Sequence, residues 1–210
     1  PYCQSGRGFI FPFRLIKSNG SPVIISSHSG RWKGYRSSVN HHKGPFGLMG
    51  ARADLQDTMS KINIWHKNPL SNYDSFNSID IFFKDSNNNY DIKIIVDSNI
   101  QIVYKRNKGH IKFQLSQSVD SLSIHIFRKK DIPSKFSFFG LLLDNDNNGI
   151  SYHSIGVNGA SVRSYLRCID FEKQLSIIKP DLVIFSIGIN DAYEEDFSKE
   201  SFYNNYDTLI

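Results

Sequence analysis

Two short turns carry the residue types best suited to chemistry: Asn158-Gly159-Ala160-Ser161 and Gly188-Ile189-Asn190-Asp191. Each closes an apolar run, "ISYHSIGV" in the first case and "LVIFSIG" in the second. Gly159 leads into a helical stretch, so its backbone N–H can face a developing negative charge near a helix N-terminus. Asn190 offers a neutral amide with two N–H donors. Such a donor stabilises an oxyanion without taking up a proton. The same residues also suit a plainer task, because Asn and Asp shape turns and cap the next element. Spacing alone leaves both readings open.

Other polar groups make weaker cases. His153 precedes Gly159 by six residues, which puts it at a site mouth or makes it an ordinary strand histidine. His41 and His42 are adjacent, and two neighbouring histidines without further ligands rarely bind metal, so no metal is expected. "DNDNNG", Asp144 to Gly149, opens like a calcium loop, but the twelfth position is Ile155 where a bidentate Glu is needed. A polar turn between strands is the better reading. Trp32, Tyr35 and Trp65 have faces that stack on sugar rings, although aromatic residues serve first as packing.

The elements that must position these groups obey two grammars. From about Val23 to Asp144 apolar residues alternate with polar ones: Ile92, Ile94; Ile111, Phe113, Leu115; Leu122, Ile124, Ile126. Such alternation predicts half-buried antiparallel strands, and turn clusters such as "KDSNNN" and "RNKG" separate them. Short strands at this spacing predict a β-sandwich or jelly roll. After Gly149 the pattern becomes strand, helix, strand. The helix is predicted from about Ala160 to Ile178, with Val162, Leu166, Ile169 and Leu175 near helical spacing, and "KPD" stops it. That order predicts a right-handed βαβ unit with a parallel sheet. One such unit cannot form a stable sheet alone, so further strands are expected outside the chain. The closing "SFYNNYDTLI" sets Phe202, Tyr206 and Leu209 on one helical face without a terminator, and both ends read as cuts inside a larger fold.

Bulk properties narrow the class. The 210 residues, 40% of them hydrophobic, suffice for a buried core. No apolar run approaches the roughly 20 residues of a membrane span. The net charge of +5 is spread without a Lys/Arg stripe, which argues against nucleic acid as a partner. Cys3 and Cys168 are far apart and read as unpaired thiols, with pairing open only to an exported chain.

The stretch "GVNGASVRSYLRCIDFEKQLSIIKPDLVIFSIGINDA" resembles the second and third blocks of the SGNH (GDSL-type) hydrolases. The resemblance covers roughly residues 150 to 210. It implies that Gly159 matches the block-two glycine and Asn190 the block-three asparagine, both oxyanion-hole donors. The opening "SGRGFIFPFRLIKSNG" resembles bacterial members with a β-sandwich inserted between the first and second blocks, among them peptidoglycan or polysaccharide O-acetylesterases. The implied fold is a partial, flavodoxin-like three-layer α/β domain with a parallel sheet, interrupted by an antiparallel β-sandwich or jelly roll. Residues 1–22 and 146–210 would form the hydrolase part and 23–145 the insert.

The resemblance also demands a Gly-Asp-Ser and an Asp-x-x-His. Neither occurs, so the nucleophile and the Asp/His pair are expected outside these residues. Ser5, Ser161, Ser186 and His153 are not promoted to a triad. The expected function is a serine ester hydrolase that removes acyl groups from a polysaccharide or peptidoglycan, periplasmic or secreted, needing no cofactor. The competing reading is a non-catalytic glycan-binding chain on a degenerate hydrolase scaffold.

Overall fold

The computed structural model describes residues 8–12, 23–67, 75–145 and 147–210. Cys3, Ser5 and Asp146 lie outside the described residues, as does most of the opening segment.

Among the described residues eleven strands form two antiparallel sheets: β1 (Gly8–Ile10), β2 (Ile24–His28), β3 (Trp32–Arg36), β4 (Ala51–Leu55), β5 (Met59–His66), β6 (Phe76–Asp85), β7 (Tyr90–Ile95), β8 (Ile102–Asn107), β9 (His110–Val119), β10 (Ser121–Arg128) and β11 (Phe136–Asp144). The larger sheet runs β3-β4-β11-β6-β9-β8, with β1 also paired to β11, and the smaller runs β2-β5-β10-β7. The predicted period-two alternation appears in β5, β7, β9 and β10, whereas β6 and β11 are buried almost throughout. Ile92 and Ile94, then Ile111, Phe113 and Leu115, then Leu122, Ile124 and Ile126 all point into the core, where residues of both sheets meet. Full burial of each such side chain is worth about 1.5–3 kcal/mol, which holds the register against a slip that would turn them to solvent.

β11 is the strand on which the large sheet is organised. It pairs with β6 along its length, while β4 takes the start of its other edge and β1 the end. The register shifts between Phe138 and Gly140, and the Phe9 ring fills the space at Gly140, where an added Cβ would lie 2.6 Å from it. Gly8–Ile10 is therefore part of the sandwich sheet, opposite Leu141 to Leu143.

The predicted parallel α/β layer is not observed, and this corrects the expected fold class. Every strand pair among the described residues is antiparallel. Residues 150–157 and 182–188 belong to no ladder. The apolar run leaves Leu182 74% and Ile184 75% exposed. An apolar run fixes burial preference and an extended shape, but a ladder also needs a neighbouring strand to meet its N–H and C=O groups. The antiparallel sheets engage all the described strands, and no ladder joins any of them to this segment.

The predicted single helix is two: α1 (Val162–Leu166) and α2 (Phe171–Ile178). It breaks where Arg167 turns its guanidinium to the backbone carbonyls of Ser37, Val39 and His42 and lies over the Phe46 ring. Leu166 and Ile169, placed by helical spacing on a buried face, are exposed in consequence, while Val162 is buried. As expected, α2 stops before Pro180, with Lys179 in a left-handed cap at φ 51°. Gln174 docks α2 on the sandwich: its side-chain oxygen accepts the Leu48 N–H at 2.7 Å, and the residue is 3% exposed.

Two further helices follow among the described residues, α3 (Ile189–Ala192) and α4 (Lys199–Leu209). Phe202 and Tyr206 of α4 join a row of rings that continues through Phe185 and Phe171 to Tyr165, with centroids 5.8 to 6.5 Å apart. No helix of the described residues is long and apolar enough to cross a membrane.

Candidate functional site

The two turns singled out in the sequence come together. Val157 to Ala160 form a β-turn, closed by the Ala160 N–H donating to the Val157 carbonyl at 3.2 Å. Gly159 takes its third position with φ +75°, a conformation open to glycine and strained for other residues. An added Cβ there would meet only the Ser38 Cβ, at 4.0 Å. The second turn begins at Gly188, φ +134°, whose bare Cα faces the Phe202 ring: a Cβ would lie 3.3 Å from it. That contact seats the start of α3 against α4.

Two side chains of α3 join the turns. The Asp191 carboxylate, 5% exposed, accepts the Val162 N–H at 3.0 and 3.1 Å. Asn190 Nδ2 donates to the Ala160 carbonyl at 2.8 Å. One N–H of the Asn190 amide is thereby fixed next to the Gly159 turn, and the amide has a second.

The donors at the start of α1 are almost all engaged. Ala160 N–H serves the turn, Ser161 N–H donates to Ser164 Oγ at 3.1 Å, and Val162 N–H belongs to Asp191. Among the described residues no acceptor meets the Gly159 N–H. Its environment differs from the sequence expectation in one respect. The helix it leads into has five residues and its first amide already faces a carboxylate, so the positive end of α1 is answered by Asp191. A negative charge at Gly159 would be held by the local N–H and the Asn190 amide, with little from the helix.

The remaining candidates are placed elsewhere. His153 Nδ1 accepts the Phe9 N–H at 3.0 Å, which ties the 150–157 segment to β1. Burial pushes its imidazole below the ordinary value, opposed by the Asp144 carboxylate. Ser161 Oγ lies 3.3 Å from Ser164 Oγ, and Ser186 is exposed on the unpaired 182–188 run. His42 Nδ1 accepts the Arg36 N–H at 3.0 Å, with His41 packed edge-on to it. No group of three or more His, Cys, Asp or Glu side chains gathers among the described residues. Asp144 Oδ1 accepts the Asn145 N–H and Asn145 Oδ1 the Asn147 N–H, while Asn145 Nδ2 donates to the Ser75 carbonyl. Trp32 packs on Phe136 and donates its indole N–H to Ser60 Oγ, and Tyr35 lies under Arg52.

Two relationships escape a reading of the sequence. Asp191 is legible as a turn acid, but the amide through which it unites the turns lies 29 residues earlier. A buried pair is equally hidden: His110 Nε2 lies 2.6 Å from Asp80 Oδ1, between β9 and β6. Neither residue stands in a motif, and only strand register brings them together.

No protein-family model matches this chain, and no curated protein matches it.

Proposed function

We propose that the Gly159 and Asn190 turns are the oxyanion-binding half of a serine ester hydrolase that removes acyl groups, acetyl foremost, from a glycan. The observation that carries this reading is the pair of donors. Gly159 N–H meets no acceptor among the described residues, and the Asn190 amide is held beside its turn with one N–H to spare. Support comes from this local geometry and from the resemblance of the two blocks, not from a parallel sheet.

In the reaction a serine hydroxyl supplied from outside these residues attacks the ester carbonyl while a histidine takes its proton. The carbonyl oxygen becomes an oxyanion, held by Gly159 N–H, Asn190 Nδ2 and the backbone N–H of the serine. Collapse expels the glycan hydroxyl, and water then hydrolyses the acyl-enzyme through the same oxyanion. Asp191 positions the hole by keeping α1 and α3 together. A glycan substrate of this kind lies outside the cytoplasm, so a periplasmic or secreted location goes with the proposal.

The test is made on the product of the complete coding sequence. It should hydrolyse p-nitrophenyl acetate and label with a fluorophosphonate, whereas the 210-residue chain alone should do neither. Asn190→Ala should lower kcat by about 10²–10³ with little change in KM. An unchanged kcat would remove Asn190 from the hole. Failure of the complete protein to label would leave the two turns as a structural latch.

A further inference from the structure

A groove of about 1130 Å³ opens at one end of the sandwich and shares no lining residue with the Gly159 and Asn190 turns. Asn63 and Trp65 of β5 line it, with Asp97 and Asn99 from the β7–β8 connection, Gln117 from the end of β9 and Asp120 between β9 and β10. The strand register explains the arrangement. Ser27, Asn63, Ser123 and Ile95 lie side by side across β2, β5, β10 and β7, and Trp65 stands one pleat along, between Ile25 and Ser121.

Asn63 is oriented before any ligand arrives. Its Nδ2 donates to Ser27 Oγ at 3.2 Å and its Oδ1 accepts from Ser123 Oγ at 2.8 Å. One N–H and one lone pair of the amide remain. Trp65 is half-buried, so the indole is held by its neighbours while part of it borders the groove. Charge narrows the ligand further. Although the chain carries +5, none of the described residues lining this groove is Lys, Arg or His, and two are aspartates. Among these described residues, phosphate, sulfate and uronate groups would meet acidic side chains and no cation.

We propose that this groove is a binding site for a neutral oligosaccharide, separate from the proposed ester-hydrolysing site and independent of it. A sugar ring presents an apolar C–H face and a rim of hydroxyls. The indole of Trp65 suits the face, and the amides and carboxylates of Asn63, Asn99, Gln117, Asp97 and Asp120 suit the rim as mixed donors and acceptors. An extended apolar ligand would leave those polar groups unpaired.

The 210-residue chain has two tryptophans, so its amide NMR spectrum carries two indole N–H signals and Trp32 serves as an internal control. Neutral hexasaccharides of xylose, glucose, mannose and N-acetylglucosamine, and heparin hexasaccharide as the anionic counterpart, are titrated separately. The expected result is a saturable shift of the Trp65 indole signal by at least one neutral sugar, with Trp32 unmoved and heparin inert. Trp65→Ala and Asn63→Ala should each weaken binding by roughly tenfold or more, about 1.4 kcal/mol, with the remaining amide dispersion preserved. Trp65→Phe should retain part of the affinity. The proposal is overturned if no neutral sugar shifts Trp65 at millimolar concentration, if heparin binds as well, or if binding survives both alanine variants. None of these readouts involves ester cleavage, so the two proposals stand or fall separately.

Discussion

Asp191 accepts the Val162 N–H with both carboxylate oxygens, at 3.0 and 3.1 Å, across 29 residues of sequence. That contact aligns the start of α1 with α3 and therefore sets Asn190 beside the Gly159 turn. The carboxylate also opposes the positive end of α1.

Replacing Asp191 by Ala leaves the Val162 N–H buried without an acceptor. The expected loss is about 1–3 kcal/mol of unfolding free energy in urea titrations. Asp191→Asn keeps an acceptor oxygen and should lose less. Equal stability of the alanine variant and the wild type would mean that the latch contributes nothing.

Gly159→Ala separates backbone strain from steric room. A methyl group has space, but φ +75° is unfavourable for it, and the expected cost is about 1–2 kcal/mol. Thermal melts and denaturant titrations read this directly. In the complete protein the same variant should also lower kcat, because relaxing the turn moves the Gly159 N–H.

Cys168 is buried, with its thiol against the Ser164 carbonyl. Burial pushes the thiol up to about 12, although Ser37 and the Arg167 guanidinium act in the opposite direction. A thiol at that value has almost no thiolate near neutral pH. Ellman's reagent at about pH 8 should therefore react with Cys168 only after denaturant is added. Fast labelling of the folded chain at this residue, located by peptide mapping, would contradict the burial.

Folding stability should fall on mild acidification. Burial holds the imidazoles of His42, His125 and His153 below their ordinary value. The unfolded chain then takes up protons first, so the stabilising contribution is complete above about pH 6.5 and is lost as pH drops toward the folded values. His153→Asn offers Oδ1 to the Phe9 N–H in place of Nδ1 and does not titrate. Its melting temperature should vary less steeply between about pH 7 and pH 5 than the wild type, with His42 and His125 supplying the rest of the slope.

Much of the sandwich is legible in the sequence because alternation reports burial residue by residue. Ile92, Ile94, Phe113 and Ile124 need only a period of two to be assigned inward. The stop at Pro180 and the α4 face carrying Phe202 and Tyr206 are equally local signals. The "LVIFSIG" run lacks its expected parallel partner among the described residues, since composition does not reveal which strand lies alongside. Likewise, helical spacing over Ala160 to Ile178 carries no sign that Arg167 breaks the helix for the sake of three distant carbonyls.

Strand faces, turn positions and the two donor types, Gly159 and Asn190, are written in the sequence, because each depends on neighbouring residues and the intrinsic geometry of the chain. Tertiary structure was needed to decide that these turns meet and that Asp191 claims the first amide of α1. It also decided that Gly159 N–H finds no acceptor among the described residues and that Asn63 and Trp65 border one groove. Those outcomes depend on hydrogen-bond partners and strand neighbours far away in sequence. Such contacts are chosen by packing of the whole chain, and no local period encodes them.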